Sequence, residues 1–420
     1  MQRINKSKFW LEAPTLVCFI VLTQSLGTVE TNDTQAFRIH FNQMSLLGFN
    51  EKNGILYQIL LAGLDERFLI LIQSILFYFA LDLLVKHTLI IRDSKLYVFA
   101  IRFLLIFNPF TINWSRTLLP DVITLSLTII FFVILFHKQH QPQYFSSLAT
   151  IVVLVFTLRY ISGIILLCII LTSKLLSLKT KFNFKNSGRD VFILVLMLIM
   201  FIIITKNYGS QGRLKQMYRE HQIVIFGKEN SYFREFYYKN GLPVCAKLED
   251  IWSDKKNEID WGTFMHKQMQ VECGETYRFI NQNRISNVDY FLDPKVVSYF
   301  AKRTIRASFP EVAPKTILGV PRVVLRFSIA LFPVLLFLFL YKFKFKEFWF
   351  QRSNLVVVYS WISLHSVFAM FIDGKEPSRH LLPFSFIIWW LPLLGLKNNQ
   401  KLQMPDSRAR RDSNPKPSDP

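Results

Sequence analysis

The sequence predicts an all-α polytopic membrane protein with about ten transmembrane helices and a small domain of mixed secondary structure inserted after the seventh. Hydrophobic residues make up 51% of the 420 positions, and 41 positions are Phe. Uncharged apolar runs recur along the chain, and several approach the roughly 20 residues that a helix needs to span a bilayer. Continuous runs of this kind indicate helices rather than the alternating strands of a membrane barrel.

The candidate transmembrane helices follow one another closely in the first half of the chain. Arg159 divides one long apolar stretch into two, and we expect a tight hairpin there. Because several segments are shorter than about 20 residues, their ends are predicted only approximately. The predicted spans cover residues 11–26, 68–85, 96–113, 122–136, 144–158, 161–176, 191–205, 323–341, 354–372 and 381–396.

Basic residues cluster in the segments that would lie on one side of the membrane. Positively charged short loops are typical of the cytoplasmic side, whereas the first outer loop is rich in Glu and Asp. We therefore predict an integral multi-pass protein with both termini in the cytoplasm, in the plasma (inner) membrane if the host is a bacterium. The formal charge of +21 then reflects topology and contact with lipid headgroups, and we expect no nucleic-acid partner.

Polarity divides the chain into four regions. Residues 206–322 form the one long polar stretch, where we expect an extracytoplasmic domain. Cys245 and Cys273 are its only cysteine pair, and an oxidising compartment permits a disulfide, although two cysteines in one domain need not face each other. The other regions are an N-terminal transmembrane region with the candidate catalytic residues (1–205, with outer loops 27–67 and 114–121), the C-terminal helices 8 to 10 (323–396) and a disordered cytoplasmic tail (397–420).

Two acidic sites fall on the predicted outer side of the membrane. Glu30 and Asp33 follow the first apolar segment, and Asp121 precedes the fourth. Carboxylates that converge at a bilayer surface from separate loops are typical of a general base or of ligand-binding groups. Each also has a structural interpretation: Glu30 and Asp33 as solvated loop acids or a helix cap, and Asp121 as an anion that a helix N-terminus favours.

The two outer loops carry motifs that resemble those of one enzyme family. Residues 33–37, followed by residues 54–60, resemble the first outer loop of the GT-C membrane glycosyltransferases. Residues 108–121, where a Ser-Arg run leads to an acidic residue, resemble the second outer loop of that family. The pattern is similar to that of the protein O-mannosyltransferases and of the aminoarabinose transferases of lipid A.

Two further motifs follow in the order that the family has them. Leu158-Arg159-Tyr160 resembles its Thr-Arg-Tyr element, and residues 376–383 resemble its Arg-Tyr-Leu-Leu-Pro element. The chain also departs from the family pattern: Thr34 follows Asp33 where many members have Glu, Gly54-Ile55 replaces a Pro pair, and His380 stands where Tyr is usual. The four motifs cover the membrane part of the chain and leave the long polar stretch unmatched.

The resemblance implies transfer of a sugar from a polyprenyl-phosphate donor to a glycan, lipid or protein acceptor, outside the membrane and with inversion at the anomeric carbon. Asp33 is then the candidate general base, with Glu30 and Asp121 as further acidic candidates. The departing lipid phosphate is already a stable anion, so fixed cations rather than an acid assist it. Arg116 would position the acceptor. The candidates for binding the donor phosphate are Arg159, Lys375, Arg379 and His380. A divalent cation, Mg²⁺ or Mn²⁺, at Asp33 and Asp121 is compatible with this chemistry.

The sequence leaves other interpretations open. A polysaccharide polymerase or ligase would share the outer-face acids and the long outer segment, and a transporter or flippase for a lipid-linked substrate is a further alternative. Against transport, the two halves of the chain show no convincing repeat. Arg159 would reach lipid headgroups if it binds no substrate. Asp82 and Arg102, inside neighbouring predicted helices, are expected to pair with each other.

Overall fold

The structure is a computed structural model that describes residues 6–30, 34, 55–88, 95–137, 144–178 and 353–372, with separate residues between 235 and 298 and between 382 and 391. This part of the chain is mostly helical and contains no strand, in agreement with the predicted all-α class. Its helices are α1 (Lys6–Ser25), α2 (Ile55–Gly63), α3 (Glu66–Thr88), α4 (Lys95–Ile106), α5 (Pro109–Ser115), α6 (Pro120–His137), α7 (Tyr144–Leu158), α8 (Tyr160–Leu178) and α9 (Ser353–Ile372).

Most of the predicted apolar segments overlap with one of these helices. The segments at 11–26, 68–85, 122–136, 144–158, 161–176 and 354–372 correspond to α1, α3, α6, α7, α8 and α9. Helix α2 lies inside the segment assigned to the first outer loop. The predicted spans at 191–205 and 323–341 lie outside the described residues, as does most of 381–396.

Helix α3 is central among the first eight helices. It packs against α1, α2, α4, α5 and α6, and α6 continues the packing to α7, which contacts α8. Leu69, Phe77, Leu81 and Leu84 are fully buried along α3. Their spacing keeps them on one side of the helix, so one apolar face serves several neighbours.

One helix among the described residues is long and apolar enough to cross a membrane by length and composition, namely α3 over Glu66–His87. Its most apolar window has a mean hydropathy of 2.3, and 61% of that window is buried. The other apolar helical stretches are shorter, with 10–17 residues, and they occur in α1, α6, α7, α8 and α9.

The predicted span at 96–113 is wrong as a single helix, because the chain breaks between α4 and α5. Proline disfavours helical backbone at the preceding residue, and Asn108 before Pro109 is extended, with φ −66° and ψ 136°. The Asn108 side chain accepts a hydrogen bond from the Phe110 amide at 2.9 Å and caps the new helix. The hydropathy of this run does not reveal the break, whereas its Asn-Pro pair does.

The chain turns back on itself at Arg159, where a hairpin is expected. Gly163 near the start of α8 lies against Phe156 near the end of α7 so closely that a Cβ added at Gly163 would meet the Phe156 Cα at 2.5 Å. Residues seven apart in a continuous helix are about 10 Å apart along its axis, so the contact requires a sharp reversal. Only glycine fits this approach of two backbones.

A buried ion pair joins α3 and α4. The Arg102 Nε lies 2.8 Å from the Asp82 Oδ1, and the Lys86 Nζ lies 2.6 Å from the Asp82 Oδ2. Asp82 is 6% and Arg102 7% exposed. The contact agrees with the pairing expected from the sequence, and it gives these two charges a structural role.

The described residues fall into two compact units: a helical unit that contains α1 to α8 and the first residues of α9, and a second unit that contains the residues between Glu235 and Ser298 together with the rest of α9. In the second unit a disulfide joins Cys245 and Cys273, the pair singled out in the sequence, with their Cα atoms 5.4 Å apart. The free cysteines among the described residues are Cys18 and Cys168, both in the helical unit.

Candidate functional site

The C-terminal end of α1 lies beside the N-terminal end of α3. The Gln24 amide donates to the Arg67 carbonyl at 3.1 Å, and the Ser74 hydroxyl donates to the Thr23 hydroxyl at 3.2 Å. Gly27 takes a positive φ of 70°, which favours glycine just beyond a helix end. The Asp65 carboxylate caps α3 by accepting from the Arg67 amide at 2.9 Å. These contacts bring the chain after α1 to the end of the helical unit where α3 begins.

Main-chain hydrogen bonds join the two predicted outer loops. The Val29 amide donates to the Arg116 carbonyl at 2.9 Å, and the Leu118 amide donates to the Val29 carbonyl at 3.1 Å. Val29 and Thr117 thus form a parallel bridge. The Thr34 hydroxyl adds a bond of 2.9 Å to the Leu118 carbonyl. The two segments that hold the candidate acids therefore lie side by side.

Buried polar side chains form hydrogen bonds with the backbone of the second of these loops. The Gln73 amide donates to the Thr117 carbonyl at 3.1 Å and to the Ser115 carbonyl at 3.4 Å. Its oxygen accepts from the Tyr57 hydroxyl at 3.3 Å, and both side chains are fully buried. Neither residue was among the sequence-predicted site residues, although a Gln in the middle of an apolar run indicates a buried partner.

The structure pairs two candidates that the sequence assigned to different roles. The Arg159 Nη2 lies 2.6 Å from the Asp121 Oδ1, with Asp121 fully buried and the Arg159 side chain 12% exposed. Asp121 occupies the first turn of α6 after Pro120, where the partial positive charge of the helix end favours a carboxylate. The turn between α7 and α8 brings Arg159 to this place. The sequence placed Asp121 among the acidic candidates and Arg159 among those for binding the donor phosphate, and the structure brings the two side chains into contact.

Arg116 lies in the same segment, between α5 and α6, and is partly buried. Its Nε is buried and has no hydrogen-bond partner among the described residues. Burial lowers the pKa of the Arg116 guanidinium from its usual value, yet arginine keeps its charge in proteins. This guanidinium lies next to the bridge between the loops, where it can donate hydrogen bonds to an anionic or hydroxyl group of a ligand.

Of the remaining candidate residues, Glu30 is described by the structure. Glu30 is exposed and follows Val29 of the bridge directly, so its carboxylate lies at the edge of the joined loops. Asp33, Lys375, Arg379 and His380 lie outside the described residues. The described part of the site thus consists of Glu30, Arg116, Asp121 and Arg159.

The described residues include Asp121, one of the two residues considered as ligands of a divalent cation. They contain no group of three or more His, Cys, Asp or Glu side chains arranged to hold one. Mg²⁺ and Mn²⁺ prefer several oxygen ligands, whereas the Asp121 carboxylate is held by the Arg159 cation. Asp33, the other residue considered as a ligand, lies outside the described residues.

Residues Asn113 to Ser115 match the acceptor pattern for N-glycosylation, but their burial argues against that use. Asn113 is 1% exposed, and neither its side-chain oxygen nor its nitrogen has a hydrogen-bond partner among the described residues. An Asn that is glycosylated must be accessible to the transferring enzyme. Asn113 is instead packed in the protein interior.

Comparison of the chain with protein-family models, with curated proteins and with solved structures finds no match in any of the three. What the chain does is therefore inferred from its own residues and motifs.

Proposed function

We propose that the chain is an integral membrane glycosyltransferase of GT-C type, which transfers a sugar from a polyprenyl-phosphate donor to an acceptor hydroxyl on the extracytoplasmic face. The observation that carries this proposal is the bridge between the two outer loops, which brings the segments of Glu30 and Arg116 together. Beside them in the chain, Asp121 begins α6 and holds Arg159. A base and phosphate-binding cations at one end of an apolar bundle are the groups that this reaction needs.

The chemistry is a single displacement. The acceptor oxygen forms a bond to the anomeric carbon, while the bond from that carbon to the phosphate oxygen breaks and its electron pair leaves with the lipid phosphate. A carboxylate takes the acceptor proton, and Asp33, with Glu30 as the second candidate, is assigned this role from the sequence. Attack from the side opposite the leaving group inverts the configuration.

Asp121 acts in this scheme through Arg159. Its carboxylate is fully buried and contacts the Arg159 guanidinium, so we assign it a positioning role rather than that of the base. The pair instead fixes Arg159 in one orientation, and a fixed guanidinium can bind two phosphate oxygens at once. Stabilisation of the departing phosphate by such a preorganised cation raises the rate of bond breaking.

The proposal includes about ten membrane spans with both termini in the cytoplasm, so that the site lies outside. Large apolar side chains on three helices support a lipid environment. Val21 on α1 is 60% exposed, Phe79 on α3 is 52% exposed and Leu104 on α4 is 60% exposed. Lipid tails accept exposed apolar side chains without cost, so this exposure is compatible with a lipid environment.

The test measures sugar transfer by membranes that carry the wild-type chain, given a panel of radiolabelled polyprenyl-phosphate sugars. Asp33→Asn, Asp121→Asn and Arg159→Gln serve as test variants at matched expression, and Thr150→Val on the exposed side of α7 serves as the control. Transfer by wild type and control, with loss of at least 100-fold in Asp33→Asn, is the expected result. Absence of transfer by wild type, with a panel validated on known enzymes, would overturn the proposal.

A further inference from the structure

A cavity of about 570 Å³ opens between the end of α1 and the start of α3. Its walls come from residues 23–28 on one side and from residues 61–70 on the other. Ser25, Gly27 and Arg67 in these walls are exposed, so the cavity opens to the outside of the helical unit. This volume is typical of small-molecule sites in proteins, which range from about 300 to 1,000 Å³.

The lining is rich in hydrogen-bond acceptors. The Thr23 hydroxyl donates to the Ile20 carbonyl at 3.0 Å, and the Ser25 hydroxyl donates to the Leu22 carbonyl at 3.0 Å. The Gln24 nitrogen donates to the Arg67 carbonyl. Because the donors of Ser25 and Gln24 are used within the protein, the side-chain oxygens of these two residues can accept from a ligand that brings its own donors.

The charges of the cavity lining restrict the class of ligand that the cavity can bind. Asp65 and Glu66 line the cavity together with Arg67, so the lining carries more negative than positive formal charge. A phosphate would meet these carboxylates, and like charges repel. Leu61, Leu64 and Ile70 supply an apolar wall. Acceptor oxygens beside an apolar wall suit an uncharged polyhydroxylated ring, which has hydroxyl donors at its edge and C–H groups on its faces.

The cavity adjoins the joined loops. Thr28 lines it and precedes Val29, which pairs with Thr117. Ser74 bonds to Thr23 in the cavity wall, and its neighbour Gln73 bonds to the loop that carries Arg116. A ligand in the cavity thus sits next to the segments that hold the candidate base.

We propose that this cavity binds the acceptor, and that the bound part of the acceptor is an uncharged sugar. The inference rests on the proposed function and assigns its acceptor to the glycan class. The phosphate of the donor is bound separately, at Arg159. The acceptor hydroxyl then lies near the loop bridge, because Thr28 of the cavity wall precedes Val29 of that bridge.

The test measures binding of free monosaccharides to the full-length protein in lipid nanodiscs by saturation-transfer NMR. Sugar-based detergents are excluded because their headgroups would compete. The probes are glucose, galactose, mannose and N-acetylglucosamine, each with inositol 1-phosphate as an anionic comparison. Ser25→Trp places a large ring at the cavity mouth, and Thr28→Val removes one hydroxyl at nearly constant volume. Val21→Trp, one turn earlier on the exposed side of α1, is the matched control.

We expect at least one monosaccharide to bind, with affinity lowered tenfold or more by Ser25→Trp, roughly 2- to 10-fold by Thr28→Val, and not at all by Val21→Trp. No binding of any monosaccharide to wild type, equal binding to Ser25→Trp, or preferred binding of the phosphate would each overturn the inference.

The two proposals fail separately. Sugar transfer that is unchanged in Ser25→Trp leaves the glycosyltransferase in place and refutes the cavity as the acceptor site. Monosaccharide binding that depends on Ser25, without transfer from any donor, supports the cavity and refutes the transferase.

Discussion

At the scale of single residues, the Asp121 and Arg159 pair combines burial with opposite charge. Desolvation of two charges costs several kcal/mol per ion, and their mutual contact offsets this only while both are present. Asp121 is fully buried, so removal of either partner deprives the other charge of this contact in an environment where charges are costly. The pair therefore couples local stability to the proposed position of the phosphate-binding cation.

Asp121→Leu or Arg159→Met alone should each lower the free energy of unfolding by about 3 to 5 kcal/mol. The double variant should lose much less than the sum, because it removes both charges together. Unfolding in mixed micelles with increasing denaturant measures the three values. Additive losses would show that the contact contributes no coupling and would remove Asp121 as the residue that orients Arg159.

The acids and cations of the site could be proposed from the sequence, because Glu30, Asp121 and Arg159 interrupt or border apolar runs. The hydrogen bonds that hold their loops in place could not be predicted from the sequence. Gln73 bonds to carbonyls 42 and 44 positions away, and no local pattern encodes so distant a contact. The contact between Asp121 and Arg159 could not be predicted for the same reason, since it depends on where the turn after α7 lies.

At the scale of helices, the hydropathy of the sequence predicts the positions of most helices. The connections between them depend on single proline and glycine residues. The apolar run at 96–113 contains two helices because Asn108 and Pro109 impose an extended residue and a cap. Helix α2 covers residues 55–63, which were assigned to the first outer loop, and its length is far below that of a membrane span.

Asn108→Ala should lower the free energy of unfolding by about 1 kcal/mol, because the Phe110 amide loses its acceptor. Asn108→Ser should retain most of the stability, since serine also caps helices. Thermal unfolding of the purified variants, monitored by circular dichroism, compares them. Equal stability of the Ala and Ser variants would mean that the cap contributes nothing here.

Gly163→Ala should lower the free energy of unfolding by about 1 to 3 kcal/mol, because the new methyl group would overlap the Phe156 backbone and push α7 and α8 apart. Gly63→Ala is the matched control, since an added Cβ at Gly63 meets nothing within 4 Å. The same unfolding measurement applies. A Gly163→Ala protein as stable as Gly63→Ala would contradict the close approach of the two helices.

At the scale of the whole molecule, the proposed orientation places the loop bridge outside and the far end of α3 inside. Glu30 and Lys86 lie toward these two ends and both are exposed. The basic residues Lys86 and His87 end α3, as expected for a helix that terminates at the cytoplasmic surface.

In sealed cells, Glu30→Cys should react with a membrane-impermeant maleimide, whereas Lys86→Cys should react only after permeabilisation. Cys18 and Cys168 are replaced by Ser in both proteins so that they give no background. Mass-tagged maleimide and gel electrophoresis report the reaction. Equal labelling of both cysteines in sealed cells would exclude a membrane between the two ends of α3.

The hydrogen bond between Thr34 and Leu118 spans 84 positions of the chain. A ribosome that adds about 5 to 20 residues per second needs roughly 4 to 17 seconds to make that stretch. Throughout this interval the first outer segment is already synthesised but has no neighbour to bond with. The nascent chain thus carries a delay built into its connectivity, because the two loop segments can join only after α5 and the residues that follow it have been synthesised.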